Sequence, residues 1–341
     1  MAENGAEDDA IVMLKQNNRI ETMTVSPRYA SIDFLRGFCV IWIIWYHTVH
    51  PDFVNYPFFN ATLFFVSGIV FKPYDWNVFL KKRFNQLLVP FFFFYVIYYV
   101  FFVLLNFLKN GVITTEVLAQ IGGLLKCYTY NDAFIINYPL WFVLALLNIQ
   151  ILTNILIKYI GNKYLIVLVA IIISLVGNYY VRTIPTPLMI GKSLPFLIYF
   201  VVGYIGGKNV LNENPSYKKI MGLLVLWGLI CAIRMSTGWA YFPMMCVEIV
   251  LFSFVLLMAS QIIGEVAWAR WIVYYGANSY VVLGLHEIFL TILRVIYEKI
   301  IGAVNMWFGM ASVIVVLIML YLSIRFLNEY MPKCIGKKEL V

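Results

Sequence analysis

Charged side chains are scarce in this chain. They make up only 12% of its 341 residues, whereas soluble domains carry about a quarter. Hydrophobic residues reach 62% and the mean hydropathy is +0.84, which excludes a soluble globular protein and indicates a polytopic membrane protein. The net charge of +8 does not imply nucleic acid, because basic residues of membrane proteins mark cytoplasmic loops. The expected partner is a lipid bilayer.

Regularly spaced cysteines are missing as well, and we expect no cleavable leader. The five cysteines are scattered without a CxxC spacing, so we expect neither a disulfide framework nor a metal site. The first residues are polar and partly acidic, and they lack the basic start and small-residue cleavage site of a secretory signal. We predict that residues 1–30 form a flexible cytosolic tail.

Long apolar runs fill most of the remaining chain. A helix crosses a ~30 Å hydrocarbon core with about 17 to 25 residues. Ten runs approach this length, and they show no clear internal repeat: 33–50, 56–71, 87–108, 139–157, 164–181, 193–207, 219–236, 240–262, 276–297 and 303–327. The prediction is an all-α integral membrane protein with a ten-helix domain over 31–330 and a short cytosolic tail over 331–341.

The basic residues indicate how such a bundle is oriented. If there are ten spans, 17 of the 25 Lys and Arg residues lie on the side of the two termini, 7 lie on the other side, and Arg36 lies within the first span. Since cytoplasmic loops are rich in Lys and Arg, both termini are expected in the cytoplasm, with the protein in the inner, cytoplasmic membrane of the cell. The longest loop, 109–137, carries a helix-start signal and a moderate apolar stripe. We expect an interfacial helix there, either resting on the outer membrane surface or covering a site.

The first span, DFLRGFCVIWIIWYHTVH, contains polar groups at helical spacing. Arg36 and His47 are eleven residues apart, so they share one helix face and are separated by about 16 Å along the axis. Asp33 and His50 extend the same stripe. A lipid-facing Arg or His would cost about 2.5 kcal/mol or more, so both should face the bundle interior as functional candidates. The alternatives are that Arg36 only anchors the helix by pairing with Asp33 and that His47 only bonds a neighbouring helix.

These residues also carry a resemblance to a known family. SIDFLRGFCVIWIIWYH resembles the first-helix signature of acyltransferase family 3 membrane proteins, and most of all the branch of fucose 4-O-acetylase-like proteins. FFNATLFFVSGIVF, FLKKRFNQLLVPFFFF, YPLWFVLAL, LPFLIYFVVGYIGG and GANSYVVLGLHEIF continue the resemblance in order. It extends from residue 29 to about residue 330.

The resemblance implies transfer of an acyl group, commonly acetyl, from acyl-CoA to a carbohydrate hydroxyl of a cell-envelope or exported glycan or glycolipid. A sugar hydroxyl is a poor nucleophile, so we expect His47 to act as general base. The CoA phosphates require cationic side chains at the cytosolic side, which Arg36, Lys82 and Arg83 would supply. An ordinary cytoplasmic loop explains the KKR run equally well.

Other intramembrane polar residues are candidates for the same site. Glu248 is predicted at the depth of His47, where it could orient the imidazole. His286 is predicted to face the cavity, whereas Glu287 points about 100° away and is expected to pair with Arg294. The acceptor-binding candidates are His50, Trp141 and Asn278.

Two side chains offer covalent alternatives, and two other functions compete. Ser67 is expected to serve helix packing and Cys39 to fill apolar space, which favours direct transfer over an acyl-enzyme. Mid-membrane Glu and His residues also suit a proton-coupled transporter or flippase. A non-catalytic scaffold in an envelope-polysaccharide assembly is the third possibility.

Overall fold

A computed structural model describes residues 27–49, 58–113, 115, 138–237 and 242–340. Within these ranges the chain forms helices joined by short connections, with no strand. The helices are α1 Pro27–Val49, α2 Phe58–Ile69, α3 Trp76–Asn110, α4 Trp141–Ile160, α5 Lys163–Val181, α6 Pro187–Asn212, α7 Tyr217–Thr237, α8 Phe242–Ile263, α9 Arg270–Ala277, α10 Ser279–Ile300 and α11 Met306–Tyr330.

Eight of the ten predicted spans are confirmed as helices long and apolar enough to cross a membrane. They are α3 to α8, α10 and α11. The first predicted span is the 23-residue α1, which is not among these eight. The second is α2, which has only 12 residues and therefore extends about 18 Å. The tail was predicted over 1–30, but residues 27–30 form the first turn of α1. Residues 1–26, His50 and almost all of the predicted interfacial helix in 109–137 lie outside the described residues.

The short helix α2 is the most enclosed element of the bundle. Eight of its 12 residues are buried, and its neighbours include α1, α6 and α8. A side chain on Gly68 would overlap the carbonyl of Phe200, and one on Gly203 would overlap the carbonyl of Phe65. The backbones of α2 and α6 can touch only because both positions are glycine. This contact confirms the packing role predicted for the Ser67 and Gly68 pair.

The last residues fold back onto the end of the bundle where α1 begins. The Lys337 ammonium donates to Asn278 Oδ1 at 2.7 Å, and the Leu340 amide donates to Asn85 Oδ1 at 2.8 Å. Burial lowers the pKa of Lys337, and the nearby Asp33 carboxylate opposes that shift. The segment after α11 therefore connects the first turns of α3 to the beginnings of α1 and α10.

Candidate active site

The inner part of α1 is held by a close crossing with α9. A Cβ on Gly37 would overlap the carbonyl of Ile272, and a Cβ on Gly276 would overlap the carbonyl of Asp33. Any larger residue at either position would push the helices apart. The crossing therefore fixes the turn of α1 that carries Asp33 and Arg36.

Arg36 and Asp33 form the ion pair that their spacing predicts. Arg36 Nη1 lies 3.4 Å from Asp33 Oδ1, and the two side chains are 27% and 14% exposed. The Arg36 guanidinium is therefore partly exposed, while the Asp33 carboxylate balances its charge. This geometry is compatible with both an anchoring role and an anion-binding role.

His47 lies at the far end of α1 against two consecutive residues of α10. Its Nδ1 is 3.9 Å from Glu287 Oε2, and its ring centroid is 5.5 Å from that of His286. Adjacent helical residues diverge by about 100°, which led to the prediction that only His286 joins the site. That prediction missed Glu287, because His47 lies between the two directions and contacts both.

Two buried acceptor atoms beside His47 have no hydrogen-bond partner among the described residues. His286 Nδ1 is 2.8 Å from the carbonyl oxygen of Val282, which can only accept, so Nδ1 carries the proton and Nε2 keeps its lone pair. Neither this Nε2 nor Glu287 Oε2 is satisfied. Unpaired buried polar atoms are costly and mark places where a ligand or water completes the network. Both atoms can accept hydrogen bonds from a molecule that brings hydroxyl groups.

Arg294 has a different partner from the one predicted. Its Nη2 donates to the carbonyl oxygens of His47 at 3.1 Å and of Thr48 at 3.3 Å. The predicted ion pair with Glu287 is therefore wrong, since the described ion pair of Glu287 is with His47. The last carbonyls of a helix lack intrahelical donors and attract cations, a requirement that spacing within α10 does not reveal.

The described contacts of Glu248 are with α7. Its Oε2 accepts from Arg234 Nε at 2.9 Å, its Oε1 accepts from the Cys231 thiol at 2.8 Å, and the residue is only 1% exposed. Equal depth had made Glu248 the candidate partner of His47. The structure places the carboxylate of Glu287 beside His47 instead. Two side chains at the same depth meet only if their helices are neighbours and turn them towards each other.

Trp141 and Asn278, the two acceptor-binding candidates within the described residues, lie in different parts of the bundle. Trp141 begins α4 in an aromatic cluster, 5.6 Å from the ring of Phe196 and 6.4 Å from that of Phe64. Asn278 precedes α10, where its Oδ1 accepts from Lys337 and Asn328. It lies eight residues before His286, about 12 Å along the helix, so it belongs to the Arg36 end.

Lys82 and Arg83 lie over aromatic rings at the start of α3. The Lys82 ammonium is 3.9 Å from the centroid of Tyr74, and the Arg83 guanidinium lies 5.2 Å from that of Phe79. A hydrogen bond with Lys82 lowers the pKa of the Tyr74 hydroxyl. Arg83 also donates to Gln86. These cations are held on the same side as the C-terminal segment, which reaches Asn85 one turn further on.

Ser67 and Cys39, the two side chains considered as nucleophiles, make contacts typical of helix packing. Ser67 donates to the carbonyl of Leu63 in its own helix at 2.7 Å. Cys39 is fully buried in the main apolar cluster. Within the described ranges, no three His, Cys, Asp or Glu side chains are grouped so that they could hold a metal ion.

The helices describe a multi-pass membrane protein, and its polar residues include a His and carboxylate pair between α1 and α10. A family model described as "Acyltransferase domain" matches residues 29–324. The chain therefore belongs to acyltransferase family 3. Neither the curated proteins nor the solved structures contain a match to it.

Proposed function

We propose that the protein is an O-acyltransferase that moves an acyl group, acetyl in the first instance, from acyl-CoA to a carbohydrate hydroxyl. The observation that carries this proposal is the pair of unsatisfied acceptors, His286 Nε2 and Glu287 Oε2, next to His47 in a chain of an acyltransferase family. A hydroxyl-rich acceptor supplies the missing donors. The acceptor would belong to a cell-envelope or exported glycan or glycolipid.

The chemistry needs a base, an orienting group and a place for the leaving thiolate. His47, as a neutral imidazole, removes the proton of the attacking hydroxyl while its oxygen forms a bond to the thioester carbonyl. Glu287 stabilises the resulting imidazolium, and His286 Nε2 accepts a hydrogen bond from the acceptor sugar. The tetrahedral intermediate collapses by breaking the C–S bond, and the imidazolium returns its proton to the CoA thiolate. The products are the acyl ester and free CoA.

The donor would approach from the end of α1 that carries Arg36. Arg36, Lys82 and Arg83 are the cations proposed to bind the CoA phosphates, and a guanidinium suits a phosphate because it can donate two parallel hydrogen bonds. We place this end in the cytoplasm of an inner-membrane protein, since the cytosol holds the acyl-CoA. The pantetheine arm of CoA would then lie along α1 and carry the thioester towards His47, about 16 Å from Arg36.

Purified protein in lipid nanodiscs with labelled acetyl-CoA tests the activity. The expected result is release of the CoA thiol together with movement of label into an added mixture of sugars and glycolipids. A protein that leaves the thioester intact with every acceptor, yet moves a glycan across liposome membranes, would be a transporter or flippase. A protein that does neither would be a scaffold.

A further inference from the structure

A cavity of about 530 Å³ lies between the end of α6, the start of α7 and α8. Its residues are far along the chain from the His47 site. Its walls are mostly apolar, with Leu223, Leu226, Phe254 and Met258 among them. A volume in this range is typical of small-molecule sites. At one end the lining becomes polar.

The outer wall of the cavity is a helix that faces the membrane. Along the 21 residues of α7, only Ile220 is buried. Gly222, on this helix, lines the cavity, and a side chain built there would meet no atom within 4 Å. The cavity is therefore a groove bordered by lipid rather than a sealed void of the core.

The polar end combines one cation, one anion and one unpaired acceptor. Lys219 Nζ and Glu213 Oε2 are 2.6 Å apart, with side chains 60% and 55% exposed. Gln261 Nε2 donates to the carbonyls of Val210, Leu211 and Glu213 at the end of α6. Its Oε1 is buried and lacks a hydrogen-bond partner among the described residues. The amide is thus fixed in one orientation, with an acceptor left over.

We propose that this cavity binds a glycerophospholipid with a phosphoethanolamine headgroup, one acyl chain lying in the groove between α7 and α8. The phosphate pairs with Lys219, and the ammonium donates to Glu213 and to the spare acceptor of Gln261. A phosphoglycerol headgroup brings the same phosphate to Lys219 but ends in neutral hydroxyls, which make weaker hydrogen bonds to the Glu213 carboxylate than an ammonium does. A choline headgroup carries no N–H and cannot donate to either oxygen.

Native mass spectrometry of the protein, purified and equilibrated with equal amounts of phosphatidylethanolamine, phosphatidylcholine and phosphatidylglycerol, measures the bound lipid directly. We expect one retained phosphatidylethanolamine, preferred by about three- to tenfold, which is what one or two net hydrogen bonds supply. Equal retention of the three lipids would overturn the headgroup assignment and leave a lipid groove without specificity.

Three variants separate the groove and its headgroup preference from general lipid adhesion. Gly222→Phe introduces a ring on the cavity wall, where an added Cβ meets no atom within 4 Å, so retention should fall by about tenfold. Gly228→Phe, also in open space on α7 but outside the cavity lining, should leave retention unchanged. Glu213→Gln, on the exposed pair, should remove the preference for phosphatidylethanolamine over phosphatidylglycerol. Retention that is the same in wild type and Gly222→Phe would sink the proposal. None of these outcomes depends on acyl transfer.

Discussion

His47 differs from an ordinary membrane histidine in the number of polar groups that converge on it. Its side chain is 22% exposed, so a substrate can reach the ring, while Glu287 and His286 contact it from the protein side. The carbonyls of His47 and Thr48 are held by Arg294, which fixes the last turn of α1. A general base needs this kind of fixed orientation, because its reach is only one hydrogen bond.

Glu287→Gln keeps the shape of the side chain and removes its charge. Without the carboxylate, the imidazolium of His47 loses its described counter-ion, so kcat for acyl transfer should fall by about tenfold or more while the acyl-CoA KM stays within about twofold. Steady-state rates of thiol release measure both constants. Glu298→Gln, on the exposed face of the same helix, is the matched control and should behave like wild type. An unchanged kcat in Glu287→Gln would remove Glu287 from the site.

His286→Ala tests the role given to the spare Nε2. Because this nitrogen is proposed to hold the acceptor and not to take the proton, the variant should raise the acceptor KM with a smaller loss of kcat. Slow hydrolysis of acetyl-CoA, in which water replaces the sugar, should be nearly unaffected. Abolished hydrolysis would instead identify His286 as the base.

At the residue scale the sequence was a good guide for α1 and a poor one for its neighbours. The i, i+3 spacing left pairing of Arg36 with Asp33 as the alternative to a functional Arg36, and the structure contains that pair. The helical period cannot tell whether His286 or Glu287 of α10 contacts His47. That depends on the angle at which α1 and α10 cross and on the rotation of α10 about its own axis. Glu287 was therefore missed, and Arg294 was assigned the wrong partner.

The glycine crossing of α1 and α9 is the element on which the position of Arg36 depends. Gly276→Ala adds a methyl group where the carbonyl of Asp33 already lies, so the helices must separate at a cost of about 1 to 3 kcal/mol. Thermal unfolding followed by intrinsic fluorescence should show a lower melting temperature. Gly228→Ala, in open space, should leave it unchanged or slightly higher, since Ala favours helix. Equal melting temperatures for the two variants would contradict the close crossing.

The C-terminal segment is an element of the fold that apolar periodicity does not predict. It was expected to be only a short cytosolic tail, but polar side chains and a backbone amide attach it to Asn278 and Asn85. Such contacts depend on single hydrogen bonds, which leave no periodic signal in a sequence.

Lys337→Met should release this segment from Asn278. Hydrogen exchange of a peptide covering 332–340 is expected to accelerate by about tenfold, which corresponds to the loss of one hydrogen bond to a charged group. Lys338→Met removes the neighbouring exposed ammonium and serves as the control. Identical exchange in both variants would show that Lys337 does not hold the segment.

At the scale of the whole molecule, hydropathy predicted the architecture well. Eight spans were found where the sequence placed them, since a bilayer requires apolar helices of fixed length. The two departures are α1, which carries His47, and α2, which packs against α1. The polar groups of α1 and the 12 residues of α2 make them look less like spans, and both are enclosed by other helices.

The basic residues predict the orientation of the bundle. If all ten predicted spans cross the membrane, 17 of the 25 Lys and Arg residues lie on the side of the termini, so a fluorescent protein fused to the C-terminus should be fluorescent in the cytoplasm, and a periplasmic reporter phosphatase fused there should be inactive. The opposite pattern would place Arg36 away from the acyl-CoA pool.

The rate of label transfer by His47→Ala, measured beside wild type in the same nanodiscs, tests the central claim most directly. General-base catalysis contributes about 10² to 10⁴ in rate, so the variant should transfer label at least about 100-fold more slowly while its melting temperature stays close to that of wild type. A folded His47→Ala protein that transfers label within about threefold of the wild-type rate would contradict the account.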